Sequence, residues 1–324
     1  MALLFSPLVG WSDGYSAFAG VTKTMTHAVQ GVILLDKPEG LSSNTALQIV
    51  KRLYKADKAG HAGTLDPMAT GMLPICLGQA TKFSEYLLAE DKCYRATIQL
   101  GKATATGDKE GEVIAQAAVP PLSSANIQSI LQQFSGTILQ IPPMYSALKH
   151  QGQPLYKLAR QGREIERKAR AVQIYHLDLV AFTDTTLTIL TRCSKGTYIR
   201  TLAEDIAKAL GSVGHLTALR RCYSGGFAET GMHRLEALKT YDSAALQQAL
   251  LPMETLLPVW PKLTINADEL QRLFHGKSVQ LDSTACGSAR LFLGDKIVAL
   301  ATLVQGQITE RKLFNYQGDS GTVS

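Results

Sequence analysis

The sequence contains few of the features that mark disulfide-linked or metal-dependent proteins. Its five cysteines are odd in number and widely separated, and no two of them form a Cys-x-x-Cys pair. Neither a disulfide framework nor a structural zinc site is therefore indicated. The seven histidines are also scattered, without a pair at helical ligand spacing. We therefore predict that the protein uses no metal.

Long apolar runs are also missing. The run at residues 297–304 is among the longest, and it falls far short of the roughly 20 residues that span a bilayer. No basic leader precedes the short apolar segment at residues 1–5, and the first arginine is Arg52, which argues against a secretory or mitochondrial address. We therefore expect a cytoplasmic protein with no membrane partner.

The composition is that of a globular, basic protein. Its 324 residues are 45% hydrophobic, which is enough for a large domain and a small one, and the formal net charge is +6. Between residues 149 and 170 there are seven Lys or Arg but only Glu164 and Glu166, a local net charge of +5. Such a segment is either a solvated face or a surface that attracts a phosphate backbone.

The most informative segment is residues 60–74, where one acid lies in a glycine-rich loop between apolar segments. Gly63 and Gly71 permit backbone angles that other residues resist, while Pro67 stiffens the position directly after Asp66. A Leu-Asp-Pro tripeptide alone is typical of a turn. The whole block indicates instead a shaped loop that presents a reactive carboxylate.

This block resembles the catalytic loop of the TruB family of pseudouridine synthases, the stand-alone bacterial type that modifies uridine 55 in the T arm of tRNA. Asp66 matches the catalytic aspartate, and Ala62 departs from the pattern because Thr is commoner there. Further segments agree in order and spacing from about residue 31 to residue 225. They are Asp36-Lys37-Pro38 with Gly40, residues 91–96, residues 142–149 with Gly152, Tyr156, Arg160 and Gly162, and residues 194–201 with Leu219-Arg220-Arg221.

The resemblance implies roles for further residues. Tyr94 matches the active-site tyrosine that stacks under uracil, although its strand pattern alone suits a core aromatic. Arg200 matches the arginine that pairs with the catalytic aspartate, and His61 matches the histidine that enters the T loop and helps to extrude the target nucleotide. The remaining residues expected to contact substrate or RNA are Lys37, Tyr198, Leu219, Lys149 and Arg160.

The implied reaction moves the ribose from N1 to C5 of uracil without net redox change, so no cofactor is expected. A free aspartate is ionised at neutral pH, and pairing with Arg200 favours that state of Asp66. Three first steps remain open: the carboxylate attacks the ribose, attacks the base, or removes a proton from the sugar.

The pattern of elements predicts an α+β fold with a mixed, mainly antiparallel sheet and flanking helices. Strands are expected at residues 31–35 and 92–100 and, as antiparallel strands, at residues 171–179 and 185–193. Amphipathic helices carry Val50 and Ile206, a further helix carries Phe83 and Leu87, and residues 101–111 indicate a hairpin connection. Residues 1–30 precede the resemblance and are either an extension or upstream sequence. Residues 31–255 form the expected catalytic domain. Residues 256–324 are expected to form a small β-rich domain; the resemblance implies a PUA-like RNA-binding module there, and a structural appendage is the alternative.

Three functions are compared on this basis. The first is a synthase that acts on the T-arm stem-loop of tRNA, without guide RNA or an obligate protein partner, and with tRNA folding as an accompanying activity. The second is a non-catalytic RNA binder or folding factor, and the third is a guide-RNA-dependent relative. The presence of Asp66, Tyr94 and Arg200 favours an enzyme, and residues 68–74 look more like the stand-alone type.

Overall fold

The computed structural model describes residues 29–314, so most of the expected N-terminal extension and the last ten residues lie outside the described part. Its strands are β1 Gly31–Lys37, β2 Ala59–His61, β3 Thr70–Leu77, β4 Lys92–Leu100, β5 Lys102–Thr104, β6 Val113–Gln116, β7 Gly136–Gln140, β8 Lys149–His150, β9 Gln153–Pro154, β10 Arg170–Phe182, β11 Thr186–Cys193, β12 Gly214–Ser224, β13 Phe227–Ala228, β14 His233–Arg234, β15 Lys262–Thr264, β16 Gly287–Leu293, β17 Lys296–Val304 and β18 Gln307–Leu313. Its α-helices are α1 Ser43–Leu53, α2 Ser84–Ala89, α3 Ser124–Gln133, α4 Leu155–Ala159, α5 Ile199–Ala209, α6 Leu235–Thr240, α7 Ser243–Gln248 and α8 Ala267–Phe274.

A ten-stranded mixed sheet organises the larger part of the molecule. Its main path runs β14-β1-β3-β12-β4-β11-β10-β7, with β2 paired to β3 and β13 to β12. The β1–β14 and β3–β12 pairs are parallel and the others are antiparallel. The predicted α+β class with a mainly antiparallel sheet is therefore confirmed.

The sequence pattern predicted the positions of several elements accurately. Strand β4 has the predicted bounds, and β10 and β11 pair in the predicted antiparallel sense. The helix expected around Phe83 and Leu87 is instead a 3-10 helix, Gly78–Phe83, followed by α2. Gly78 adopts a φ of 58° at the start of the tight turn, and a Cβ there would lie 2.4 Å from the carbonyl oxygen of Val29.

The main core lies between the sheet and helices that cover one of its faces. Residues from α1, α3 and α5 pack against β3, β4, β10, β11 and β12 in one cluster. Helix α5 supplies Leu202 and Ile206, both fully buried, which matches the periodicity predicted for that segment. No helix in residues 29–314 is long and apolar enough to cross a membrane.

The C-terminal part is a small β-rich domain, as expected. Strands β15 to β18 form a four-stranded sheet with its own apolar core beside α8. A second cluster joins this domain to the large one, because Phe292 and Phe314 pack with Val32 and Phe83. The rings of Phe83 and Phe314 are stacked with centroids 5.3 Å apart. Ala62, in the predicted catalytic loop, belongs to the same cluster.

Candidate active site

The loop that carries Asp66 connects β2 to β3 and is fixed by buried polar groups on neighbouring segments. The hydroxyl of Ser43, at the start of α1, accepts a hydrogen bond from the N–H of Leu65 at 2.8 Å and donates to its carbonyl at 2.9 Å. The ammonium of Lys37 donates to the carbonyls of Pro67 at 3.2 Å and Leu41 at 2.6 Å. The two residues that flank Asp66 are therefore held to α1 and to the end of β1.

Arg221 of β12 fixes the same loop from the sheet side. Its guanidinium donates to the carbonyls of Gly63 at 3.1 Å and Met72 at 2.6 Å. Gly63 has a φ of 105°, and a Cβ there would lie 3.1 Å from Nη1 of Arg221. Gly71 has a φ of 95°, and a Cβ there would lie 2.4 Å from the Arg221 carbonyl oxygen. Both glycines are required by conformation and by close approach.

The structure contains the expected contact between Arg200 and Asp66. Nε of Arg200 lies 3.2 Å from Oδ2 of Asp66, and Nη1 lies 3.5 Å from Oδ2 of Asp108. The same guanidinium donates to the carbonyls of Thr106 at 3.0 Å and Tyr145 at 2.6 Å. Arg200 is the second residue of α5, a poor place for a cation, and two carboxylates compensate for that position.

The surroundings of Asp66 include some groups that raise the pKa of its carboxyl and others that lower it. Burial raises the pKa of the Asp66 carboxyl above its ordinary value, and the nearby Asp108 raises it further, while Arg200 and Lys37 lower it. The lowering by Arg200 agrees with the sequence-based expectation. The dominant effect of burial was not anticipated, because sequence spacing does not report how much water reaches a carboxylate.

Asp66 lies at the wall of a cavity of about 890 Å³. The cavity is large enough for a flipped nucleotide, since ligand pockets measure roughly 300–1,000 Å³. Of the site residues expected from the sequence, those that line this cavity are His61, Asp66, Tyr94, Arg160, Tyr198, Arg200 and Leu219. The fold therefore brings seven of the nine expected site residues to one cavity.

Tyr94 and Tyr198 reach the cavity from different elements. Tyr94 is on β4, on the strand face that also carries the buried Ala96, and burial raises the pKa of its phenol while Arg221 lowers it. Tyr198 precedes α5, and its backbone N–H donates to Oε1 of the buried Gln140 at 3.1 Å. Burial also raises the pKa of Tyr198. Both side chains are therefore uncharged, and their rings form parts of the cavity wall against which a base can lie.

His61 ends β2 beside the cavity. Burial and, to a lesser degree, the positive charge of Arg221 lower the pKa of its imidazole, which favours the neutral ring. Its buried Nδ1 has no hydrogen-bond partner within the described part of the chain. The ring thus keeps a buried polar atom without a partner beside the cavity.

Lys37 and Lys149 do not line the cavity. Lys37 is fully buried, with all of its recorded hydrogen bonds made to backbone carbonyls beneath the loop, so it is placed to support the loop and not to contact RNA. Lys149 is exposed on the short strand β8 outside the cavity. Arg160 is exposed at the end of α4, where its guanidinium lies 5.8 Å from the ring centroid of Tyr156.

Sequence reasoning missed Asp108 and Glu110. Asp108 is buried, accepts a hydrogen bond from Thr106 at 2.6 Å and pairs with Arg200, while Glu110 lines the cavity. The segment was interpreted only as a hairpin connection, and it does link β5 to β6. An acid directly after Gly107 was the available signal. Among residues 29–314 no three Asp, Glu, His or Cys side chains are grouped as metal ligands.

Comparison with known proteins agrees with this geometry. The profile of the TruB family pseudouridylate synthase N-terminal domain matches residues 51–199, and that of the tRNA pseudouridylate synthase B C-terminal domain matches residues 200–258. The tRNA pseudouridine synthase B of Chromohalobacter salexigens is 50% identical over 291 residues, 89% of this chain and 95% of the relative. That of Neisseria meningitidis serogroup B is 52% identical over 255 residues, 79% of this chain and 83% of the relative.

Solved structures share the fold at lower identity. A chain in a Cbf5-Nop10-Gar1 complex superposes with a TM-score of 0.66 and 27% identity, covering 85% of this chain and 78% of the other. A chain in the archaeal box H/ACA sRNP Nop10-Cbf5 complex gives a TM-score of 0.64 and 25% identity, covering 85% and 79% respectively. On the two family profiles and on relatives at about 50% identity over most of its length, this chain belongs to the TruB family of pseudouridine synthases.

Proposed function

We propose that the protein isomerises uridine 55 in the T arm of tRNA to pseudouridine. The observation that carries this proposal is the Asp66–Arg200 pair at the wall of a nucleotide-sized cavity that Tyr94 also lines. The curated relatives at about 50% identity are named tRNA pseudouridine synthase B. A carboxylate held by an arginine beside an aromatic wall is the arrangement that this reaction needs.

The target uridine must leave the stem-loop before Asp66 can reach its ribose. Extrusion of a base costs a few kcal/mol, which stacking and polar contacts in the pocket offset. We assign stacking to Tyr94 and entry into the vacated space to His61, whose buried Nδ1 has no partner in residues 29–314. Leu219 and Tyr198 supply further walls of the same cavity.

The chemistry assigned to Asp66 requires an ionised and oriented carboxylate. Burial raises the pKa of Asp66, and Arg200 opposes that effect by favouring the ionised state. The contacts of Arg200 with Asp108, Thr106 and Tyr145 fix its guanidinium. Asp66 then attacks the ribose, attacks the base or removes a proton from the sugar, and all three routes begin at the same oxygen atoms. No electron is gained or lost in the overall reaction, so the proposal includes no cofactor.

We further propose that the protein acts without guide RNA and without an obligate protein partner. The solved H/ACA assemblies share only 25–27% identity with it, whereas the bacterial tRNA synthases share about 50%. The substrate in this proposal is tRNA, which places the protein in the cytoplasm.

The RNA surface in this proposal extends beyond the cavity. The basic segment from residue 149 to residue 170 includes Arg160 at the cavity and Lys149 outside it, and both are exposed to a phosphate backbone. We assign the β-rich C-terminal part to a PUA-like RNA-binding domain that begins near residue 256. The proposal thus gives the tRNA two contact regions besides the target nucleotide.

The test is pseudouridine mapping at position 55 of an unmodified tRNA incubated with purified protein, without metal, nucleotide or guide RNA. Wild type should convert the site, and Asp66→Asn should bind the tRNA without converting it. If wild type converts only after a guide RNA is added, the stand-alone function is wrong. If wild type binds the tRNA but converts no uridine under either condition, a binding or folding factor replaces the enzyme.

A further inference from the structure

The floor of the cavity carries two buried cations that neighbour Tyr94. Lys92 and Tyr94 are two residues apart on β4, so they share one face of the sheet. Arg221 of β12 is the cross-strand partner of Tyr94, and directly opposed residues of an antiparallel pair point to the same face. Lys92, Tyr94 and Arg221 all line the cavity.

Neither cation has an acidic partner within the described part of the chain. Lys92 is 6% exposed and Arg221 is 1% exposed, and no carboxylate oxygen in residues 29–314 lies within 4.0 Å of a charged nitrogen of either residue. This distinguishes them from Arg200, which contacts two carboxylates. A buried charge without a counter-charge is costly, so its retention in a site requires a reason.

The two charges also act unfavourably on each other. Burial lowers the pKa of Lys92 to about 8, and the positive charge of Arg221 is the next largest cause of that lowering. The same charge lowers the pKa of His61. The cavity also has three acidic residues, Asp66, Asp108 and Glu110, and the first two of them pair with Arg200. The floor is therefore positive where no substrate is bound.

The hydrogen bonds of the two cations do not neutralise their charge. The ammonium of Lys92 donates to the carbonyls of Leu88 at 2.7 Å and Glu90, at the end of α2. Arg221 donates to the carbonyls of Gly63 and Met72. These are charge-assisted hydrogen bonds, and the end of α2 favours a cation, but the carbonyls carry only partial negative charge and leave both full charges without a counter-ion.

The proposed reaction supplies the missing negative charge. When the bond between C1′ of the ribose and N1 of uracil breaks, its electron pair leaves with the uracil ring, whose oxygens then carry negative charge. After the ring turns, C5 bonds to C1′, the proton on C5 is released, and N1 takes up a proton. If the carboxylate instead adds to the base first, the electron pair displaced in the ring again places negative charge on uracil. All three open routes therefore pass through an electron-rich uracil.

We propose that Lys92 and Arg221 form a cationic floor beneath the base that stabilises the negative charge on uracil during the isomerisation. This inference rests on the proposed function. Charges fixed in advance in a water-excluded site stabilise a developing charge strongly, because the site does not have to reorganise when the charge appears. Tyr94 neighbours Lys92 along β4 and Arg221 across the strand pair, and it supplies the surface on which the ring stacks.

The experiment compares neutral and charge-conserving variants: Lys92→Gln with Lys92→Arg, and Arg221→Gln with Arg221→Lys. Single-turnover rates at saturating enzyme should fall about 10- to 100-fold in the neutral variants, by analogy with removal of one oxyanion donor, and should recover at least several-fold in the charge-conserving ones. The affinity for tRNA and its salt dependence should not change. Arg95→Gln, on the exposed face of β4 next to Tyr94, is the matched control and should retain the wild-type rate.

Each alternative gives a different result. Equal rates for the neutral and charge-conserving members of both pairs would refute the proposal and leave a hydrogen-bonding role. Weaker binding with a smaller salt dependence and an unchanged saturated rate would refute it in favour of a phosphate contact. The Lys92 and Arg221 variants test the proposal independently. If circular dichroism shows that one pair of variants is misfolded, the rates of the other pair still test the proposal. A wild type that converts no uridine would instead refute the proposed function.

Discussion

Nη1 of Arg200 lies 3.5 Å from Oδ2 of Asp108, a carboxylate that is almost completely buried. The same guanidinium reaches Asp66 through Nε at 3.2 Å. One cation is therefore shared by the proposed catalytic carboxylate and a second carboxylate that solvent does not reach. Asp108 is placed to hold Arg200, and Arg200 to hold Asp66, so we treat Asp108 as a positioning residue.

Replacement of Asp108 should affect rate more than binding. Asp108→Asn retains the size of the side chain and removes its charge, so the saturated single-turnover rate should fall about 10- to 100-fold, equivalent to about 1.4–2.8 kcal/mol. Because Asp108 is one cause of the raised pKa of Asp66, the acid limb of the rate profile should also move to lower pH. Asp178→Asn, at an exposed position of β10, is the control. An unchanged rate and an unmoved acid limb would show that Asp108 does not position Arg200.

Alanine substitutions at two glycines should distinguish the stability lost to backbone strain from the stability lost to a steric clash. Gly71→Ala places a Cβ 2.4 Å from the Arg221 carbonyl oxygen at a φ of 95°, whereas Gly40→Ala meets nothing within 4 Å at a φ of 83°. Gly40→Ala should lower the free energy of unfolding by about 1–2 kcal/mol, and Gly71→Ala by about 2–5 kcal/mol because it also separates β3 from β12. Urea unfolding measures both, and equal losses would contradict the close approach of these strands.

The buried Lys37 should leave a signature in the pH dependence of stability. Burial lowers the pKa of Lys37 to about 8 from its ordinary 10.5. Between these values the unfolded chain binds the proton that the folded chain has released, so this lysine makes the free energy of unfolding rise with pH. Lys37→Met removes that contribution.

Urea unfolding of both proteins at several values from pH 7.5 to pH 10.5 measures the effect, with Lys208→Met at an exposed position of α5 as the control. The stability of wild type minus that of Lys37→Met should increase across the window. A difference that stays constant or decreases with pH would contradict the assigned environment of Lys37.

Phosphate contacts made by the basic segment should appear in the salt dependence of the affinity for tRNA. If Lys149 and Arg160 each contact one phosphate, then Lys149→Ala and Arg160→Ala should each reduce the slope of log affinity against log salt by about 0.7–0.9. Fluorescence anisotropy with labelled tRNA at several salt concentrations measures this slope. Neither variant should slow the saturated rate greatly, because the proposal gives neither residue a part in the chemistry. Unchanged slopes would remove these two residues from the proposed RNA surface.

Much of the fold was readable from periodicity. The alternation of β4 and the helical spacing of α5 are local properties, and both elements appear where the pattern placed them. The division of residues 78–89 into a 3-10 helix and α2 was not readable, because local periodicity does not distinguish a short 3-10 segment from the first turns of an α-helix. Tertiary contacts decide such details.

The site was readable where one motif carried the chemistry. Asp66 and Arg200 were paired from the sequence, and the structure brings their side chains together. Asp108 and the inward placement of Lys37 were not readable, because each depends on which carbonyls or charges the fold places nearby. A lysine in a motif gives no indication of whether it faces RNA or the interior.

The apolar cluster shared by Phe314, Phe83 and Ala62 links the two domains in a way that the order of the motifs does not suggest. A chain shortened before the last strands would expose the back of Val32 and Phe83 to water beside the loop that presents Asp66. The C-terminal module is therefore not an attachment that can be exchanged freely. A fusion or transplantation of the catalytic domain must therefore keep Phe292 and Phe314, or supply other apolar side chains that cover Val32 and Phe83.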